Sequence, residues 1–154
     1  MKLFQIEEPD GSTIDPDAPG AAIGIDIGGH RAEVAIAVGG NAVVLADREG
    51  FALDLAVPTP TASADEWQRL FEGARLRAER VLAQPVTHAV LALDSAPDAA
   101  LAARLLAASA AAGLVLLRIV AREEIGAGEP PALGAAILAE ELAPRPGAPR
   151  PGAP

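Results

Sequence analysis

The chain has 154 residues, 51% of them apolar, and a formal net charge of −9 at pH 7. This length fits one domain with one core, because domains usually run to about 100–150 residues, so we expect no second lobe within it. The lack of cysteine excludes a disulfide framework and a thiolate metal site, and two histidines make a transition-metal site improbable. The acidic charge argues against a nucleic-acid partner, since phosphate binding draws on lysine and arginine.

Targeting features are not evident in the sequence. No run approaches the roughly 18 apolar residues of a membrane helix, and residues 1–20 carry five acidic groups, unlike a signal peptide. We therefore expect a cytoplasmic protein with no membrane partner.

Both ends are rich in turn-forming residues. Residues 1–20 contain the run Pro-Asp-Gly-Ser-Thr-Ile-Asp-Pro-Asp-Ala-Pro-Gly, and residues 143–154 contain the sequence Arg-Pro-Gly-Ala-Pro twice. Neither end has a periodic apolar pattern to bury. We predict a flexible lead-in over 1–20, a folded domain over 21–142 and a proline-rich tail over 143–154.

The first half of the domain is predicted to be three strands. Ile23–Ile27 is continuously apolar, as a buried strand is, and apolar residues alternate with small ones over Val34–Val38. Gly39-Gly40-Asn41 predicts a hairpin turn into a third strand at Val43–Leu45. Alternation over Phe51–Val57 extends this strand or adds a short partner.

The second half alternates helices with strands. Ser63 and Glu66 form a capping box ahead of an apolar helical stripe that runs from Trp67 to Leu82. The remaining predictions are a strand at Ala89–Leu93, a helix that Pro97 opens and Gly113 stops, a strand at Leu114–Val120, and a third helix that Pro130 opens and that runs to Leu142. We interpret Glu123, Glu124 and Glu129 as a solvated loop and a helix start.

This order of elements predicts the fold class. Three antiparallel strands followed by right-handed crossovers to parallel strands give an α/β fold with a five-stranded mixed sheet and flanking helices. This is the ribonuclease H-like plan, found as a single lobe in the actin-like ATPases.

The run Gly24-Ile25-Asp26-Ile27-Gly28-Gly29 is the most informative motif. A strand that ends in a carboxylate and a glycine turn lets backbone amides and one carboxylate approach a phosphate or its metal. With it, the segments 3–12, 22–28, 85–91, 110–119 and 132–139 resemble the ATPase domain of the DnaK-type heat-shock chaperones, and within them the HscA-like iron–sulfur-assembly branch.

The resemblance implies one lobe of a two-lobed ATPase, without the residues equivalent to the second lobe. The chain also departs from the family motif. His30 follows Gly28 and Gly29 where the family has threonine hydroxyls, and the only lysine is Lys2, in the lead-in. The resemblance therefore predicts a vestigial phosphate loop at Asp26, Gly28, Gly29 and His30.

Each candidate site residue has a structural alternative. Asp26 is a candidate cation ligand or a turn former, and Gly28 and Gly29 either admit a phosphate or serve a hairpin. His30 and Arg31 either bind an anion or are solvated loop residues. Asp94 either pairs with Asp26 as a metal-binding couple or begins the turn into the next helix.

Two functions follow. The first is a non-catalytic, single-lobe relative of the chaperone ATPase domain that acts as a binding or interaction module. We expect no ATPase activity and no cofactor, with weak binding of ATP and Mg²⁺ as the alternative. The second is a metal-dependent nuclease, because Gly24, Asp26, Gly28 and Arg31 also resemble the opening of the small resolvase-like family typified by YqgF.

The last predicted helix is also a candidate interface. Gly134, Ala135 and Ala136 are small residues on this helix, and a glycine inside a helix costs about 1 kcal/mol relative to alanine. One explanation is close packing on the chain's own sheet. The other is an exposed face that pairs with a protein partner or with a second copy.

Overall fold

In the computed structural model, five strands within the described residues, 20–45, 55–126 and 130–144, pair into one mixed sheet. The strands are β1 (Ala21–Asp26), β2 (Glu33–Val38), β3 (Asn41–Val44), β4 (Val86–Leu93) and β5 (Val115–Ala121). The helices are α1 (Ala64–Leu82), α2 (Ala99–Ala111), α3 (Arg122–Ile125) and α4 (Pro131–Leu142). The predicted α/β class is confirmed. Position 129 and most of the alternating stretch at 51–57 lie outside the described residues, as do most of the predicted lead-in and tail.

The sheet has the order β3-β2-β1-β4-β5. β2 runs antiparallel to β1 and β3, with Ile23 opposite Ile36, whereas β4 runs parallel to β1 and β5. Each parallel pair is joined through a helix, as parallel strands require. The carboxyl ends of β1, β4 and β5 therefore meet at one edge.

The β2–β3 turn is close to its prediction. Gly39 and Gly40 have φ of 60° and 84°, which L-residues rarely adopt, and this explains the two glycines. β3 starts at Asn41, two residues earlier than predicted, because the turn needs only the two glycines. In the described part of the alternating stretch that follows, Ala56 makes an isolated antiparallel bridge to Arg31. At this position the stretch is therefore a short partner and not an extension of β3.

The larger part of the core lies on the face of the sheet covered by α1 and α2. The predicted capping box is confirmed: Ser63 Oγ accepts from the Glu66 amide, and the Glu66 carboxylate accepts from the Ser63 amide. Trp67 and Phe71 of α1 are buried with Leu105 of α2 against Ile23 and Ile25 of β1. This burial confirms the predicted apolar stripe of α1 as far as Ala78, whereas Val81 near the end of the helix is 52% exposed.

Helix α4 covers the opposite face of the sheet. Ala135 and Ala139 pack with Val90 of β4 and Val120 of β5. A Cβ at Gly24 would lie 2.7 Å from the carbonyl oxygen of Ala132. The backbone of α4 thus rests directly on β1, and only glycine fits at position 24.

Of the two explanations for the small residues of this helix, close packing on the chain's own sheet fits the structure. Ala135 and Ala136 are fully buried on the chain's own sheet. Gly134 faces Ile125 of α3, whose side chain would clash with any Cβ at that position. Close packing within the chain therefore explains all three small residues.

Further boundaries differ from the sequence predictions, and β4 begins at Val86, three residues before the predicted Ala89. Asp98, rather than Pro97, caps α2, because its carboxylate accepts from the Leu101 amide at 2.8 Å. α4 begins at Pro131, one residue after Pro130. The stretch predicted as a solvated loop contains α3, a single turn in which the Glu124 carboxylate accepts from the Ala121 amide at 2.8 Å.

No helix in the described part of the chain is both long and apolar enough to cross a membrane.

Candidate functional site

Polar side chains from three strand ends meet at the edge where the parallel strands terminate. Asp26 is the last residue of β1, Asp94 directly follows β4, and Arg122 directly follows β5. Ligands of open α/β sheets bind outside the carboxyl ends of the strands, so this edge is the candidate site.

Asp26 is the buried member of this cluster, with 6% of the residue exposed. Its Oδ1 accepts a hydrogen bond from the Gly28 amide at 2.9 Å, so the carboxylate closes the turn that follows β1. The predicted turn-forming role of Asp26 is thus present. One amide of the predicted phosphate loop is consequently already bound within the protein.

Arg122 brings the two carboxylates together. Its Nη2 lies 4.0 Å from Oδ2 of Asp26, and its Nε lies 3.8 Å from Oδ1 of Asp94. Both distances are those of ion pairs and are too long for hydrogen bonds. A Cβ at Gly28 would lie 3.0 Å from Nη2 of Arg122 and 3.3 Å from the Asp94 amide nitrogen, so the glycine leaves room for the guanidinium.

The local fold explains the position of Arg122. β5 ends beside β4, with Ala121 opposite Leu93, and α3 begins at the next residue. The capping contact of Glu124 fixes this start. The arginine is therefore carried to the end of the neighbouring strands, with 49% of its side chain exposed.

The other predicted site residues lie further out. Gly29 and His30 are exposed, and the His30 carbonyl accepts from the Val57 amide at 2.9 Å. Asp94 joins the cluster through Arg122, with 73% of its side chain exposed. The structure thus brings Asp26, Gly28 and Asp94 together with Arg122, which the sequence motifs did not indicate.

A cleft of about 560 Å³ opens beside Asp26. It extends over the ends of β2 and β3 and reaches α1, so it lies to one side of the Gly28 turn. Its described lining consists of Asp26, Gly29, Arg31, Ala32, Glu33, Val44, Leu45, Arg77 and Arg122.

The described sheet edge has two carboxylates, Asp26 and Asp94, with Arg122 beside both. Within residues 20–45, 55–126 and 130–144, no three or more histidine, cysteine, aspartate or glutamate side chains are grouped so that they could hold a metal ion. Mg²⁺ prefers an octahedral shell of oxygen ligands, whereas here a guanidinium lies between the two carboxylates at the sheet edge.

No family model matches this chain, and no curated protein matches it significantly. The function is therefore argued from the site itself.

Proposed function

We propose that this protein is a non-catalytic binding module with a ribonuclease H-like plan, related to one lobe of the DnaK-type chaperone ATPases. The observation that carries the proposal is the position of Arg122, whose guanidinium lies within 4.0 Å of both Asp26 and Asp94.

The sheet supports the ribonuclease H-like part of this proposal. The order β3-β2-β1-β4-β5, with one antiparallel three-stranded half and parallel crossovers to β4 and β5, is the arrangement that the plan requires. The link to chaperone ATPases and to iron–sulfur assembly rests on the sequence resemblance. A protein partner and a cytoplasmic location stay predictions, and no surface is assigned to the partner.

Arg122 supports a non-catalytic role through its chemistry. Hydrolases of this plan would need a cation that bridges the two carboxylates, activates a water and polarises a phosphoryl oxygen. A guanidinium neutralises carboxylates at every physiological pH, but it offers no open coordination position and cannot deliver a hydroxide. The Asp26 and Asp94 pair thus has a cation of the protein itself beside both carboxylates, which offsets one of their two negative charges.

The turn after β1 supports weak rather than tight phosphate binding. The Gly28 amide donates to Asp26, and the residue after Gly29 is a histidine in place of a hydroxyl side chain. Removal of one preorganised donor typically costs about 10²–10³ in rate, so a loop altered at several positions is not expected to support turnover.

The resolvase-like nuclease is the second candidate. The convergence of Asp26 and Asp94 at the ends of neighbouring parallel strands favours it, since this is where a two-metal site would form. Arg122 separates the two candidates, because a nuclease would have to displace the guanidinium.

Metal binding to wild type and to Arg122→Ala tests the proposal. We expect no Mg²⁺ or Mn²⁺ binding by calorimetry in the wild type, and weak millimolar binding in Arg122→Ala, where the two carboxylates lose their cation. Asp26→Asn added to Arg122→Ala should abolish that binding. If Arg122→Ala binds neither metal, the guanidinium does not stand in for a cation.

Turnover assays test the non-catalytic role directly. ATP and branched DNA are each incubated with the wild type and Mg²⁺, and Asp26→Asn is the matched variant. The proposal predicts no hydrolysis of either substrate. Magnesium-dependent hydrolysis that Asp26→Asn abolishes would show an enzyme instead.

A further inference from the structure

We infer that the cleft beside Asp26 binds a small organic anion, a phosphate monoester or a carboxylate, through Arg31, Arg77 and Arg122. This inference rests on the proposed binding function and names the class of ligand. The cleft shares Asp26 and Gly29 with the phosphate loop that the sequence predicts, and it extends from them over the ends of β2 and β3.

The charge of the lining is opposite to that of the chain. Three arginines and two carboxylates line the described part of the cleft, whereas the whole protein has a formal net charge of −9. The described lining thus has both signs, with an excess of one positive charge, and this excess favours an anion over a cation.

Arg122 has donor capacity available for such a ligand. Its ion pairs with Asp26 and Asp94, at 4.0 Å and 3.8 Å, are longer than hydrogen bonds, and half of its side chain is exposed. A planar guanidinium binds phosphate or carboxylate oxygens through two parallel N–H donors. An incoming anion can therefore gain short, charge-assisted hydrogen bonds that the protein does not supply.

Arg77 and Arg31 lie at different depths of the same cleft. Arg77 projects from α1 and is only 5% exposed, so its position is fixed by packing before any ligand arrives. Arg31 is exposed and lies at the turn between β1 and β2. A cation that packing holds in place, as it does Arg77, binds an anion with a small entropic cost.

The remaining lining residues define the rest of the ligand. Ala32, Val44 and Leu45 give the cleft an apolar surface, and the carboxylates of Asp26 and Glu33 can accept hydrogen bonds. About 560 Å³ falls within the range of small-molecule sites. The ligand that fits is an anion with an apolar or ring-shaped body and a hydroxyl group, rather than a bare inorganic ion.

Titration with defined probes tests this assignment. Wild type, Arg31→Gln and Arg122→Gln are titrated by NMR with phenyl phosphate, benzoate and inorganic phosphate. We expect saturable binding of phenyl phosphate or benzoate, tighter than that of inorganic phosphate because only the aromatic probes reach the apolar surface. Comparison of phenyl phosphate with benzoate tells whether the site prefers phosphate or carboxylate.

The variants locate the binding. Arg31 is exposed, so glutamine is tolerated there, whereas Arg122→Gln removes the cation beside the buried Asp26, and its thermal midpoint is measured to show that it still folds. Each change should weaken binding by about tenfold, which corresponds to one lost charge-assisted contact. Arg69→Gln is the matched control, because Arg69 is exposed on α1 and does not line the described cleft. It should bind like the wild type.

Two results would overturn the inference. One is no saturable binding of either aromatic probe at millimolar concentration, and the other is binding that Arg31→Gln and Arg122→Gln leave unchanged. Failure here is separate from failure of the proposed function, since magnesium-dependent turnover would refute the non-catalytic role whether or not the probes bind.

Discussion

The carboxylate of Asp26 serves two neighbours at once. One oxygen accepts from the Gly28 amide, and the other lies 4.0 Å from the Arg122 guanidinium. A buried carboxylate is costly unless it is hydrogen-bonded and has an opposite charge nearby, and both conditions are met here. The contact with Gly28 shapes the turn, and the contact with Arg122 offsets the charge of the Asp26 carboxylate.

His88 is expected to make the stability of the fold depend on pH. Burial lowers the pKa of His88 below its ordinary value of 6.5, and its Nδ1 lies 2.7 Å from Oγ1 of Thr87. The unfolded chain then binds a proton at a higher pH than the folded chain does. Stability should be unaffected by His88 above pH 6.5 and should fall as the pH drops from 6.5 toward the lower folded pKa.

Thermal unfolding of wild type and His88→Gln between pH 7.5 and about pH 5 checks this prediction. The fall in midpoint toward acid should be smaller in the variant. His30→Gln is the control, because His30 is the chain's other histidine and is exposed, and it should keep the wild-type profile. Identical profiles for wild type and His88→Gln would contradict the assignment.

Residues whose partners are close in sequence were predictable, and those with distant partners were not. Asp26 with Gly28, and Ser63 with Glu66, are contacts over two or three positions, and their motifs indicate them directly. Arg122 reaches Asp26 only because β4 and β5 pair beside β1, so a lone arginine after a strand carries no signal. The capping role of Asp98 had a signal, since aspartate is a preferred N-cap.

At the scale of elements, the contact between β1 and α4 depends on one glycine. A Cβ at position 24 would overlap the α4 backbone, whose Ala132 carbonyl oxygen would be 2.7 Å away. Gly24→Ala should therefore push the helix off the sheet and lower the free energy of unfolding by about 1–3 kcal/mol, the usual range for overpacking. Urea denaturation measures the loss.

The same motif supplies a control for this change. Gly29 is exposed, and a Cβ there would have Arg31 O as its nearest neighbour, at 3.9 Å. Gly29→Ala should change the unfolding free energy by less than about 0.5 kcal/mol, as exposed substitutions usually do. Equal effects at both positions would mean that α4 does not rest on Gly24.

A second contact ties α4 to the β2–β3 hairpin. The Glu140 carboxylate accepts from the amides of Gly39 and Gly40, at 2.6 Å and 2.9 Å. Glu140→Gln retains one acceptor oxygen and turns an amide group toward the N–H donors. We expect a loss of about 0.5–1.5 kcal/mol in unfolding free energy, the net value of a typical hydrogen bond.

Glu141→Gln is the matched control, because Glu141 is the exposed next residue of the same helix. Hydrogen exchange adds a local readout: the Gly39 and Gly40 amides should exchange faster in Glu140→Gln and not in Glu141→Gln. Unchanged exchange in both variants would show that the carboxylate does not hold the turn.

The elements themselves were predictable where a pattern runs over many residues. Continuous and alternating apolar runs predict all five strands of the described sheet, and the apolar stripe that follows the capping box predicts α1. α3 has only four residues, too few for a helical period, so the sequence pattern predicts a loop there. The small residues of α4 are evident in the sequence, but composition alone does not tell whether a helix packs on its own sheet or on a partner.

For the whole molecule, the two faces of the sheet are packed by different kinds of side chain. Large residues such as Trp67 and Phe71 fill the face under α1 and α2, whereas alanines bring α4 close to the other face. Both layers are built from residues of the unit Gly20–Ala143. The core of the described residues thus lies within that unit.

We therefore expect residues 20–144 to fold without the rest of the chain. The truncated chain should unfold in one cooperative thermal transition, with a midpoint within about 4 °C of the full chain, a shift that corresponds to roughly 1 kcal/mol at this size. The physical reason is that neither end has a periodic apolar pattern to add to the core. Circular dichroism and calorimetry measure the transition.

Trp67→Ala, made in both the full and the truncated chain, shows that the transition reports on the core. Trp67 is 2% exposed, and its loss should lower the unfolding free energy by about 3–5 kcal/mol in either background. If the ends are dispensable, the two losses should agree within about 0.5 kcal/mol, because distant sites contribute additively. A truncated chain without a cooperative transition, or a Trp67→Ala loss that depends on the ends, would show that they are part of the folded unit.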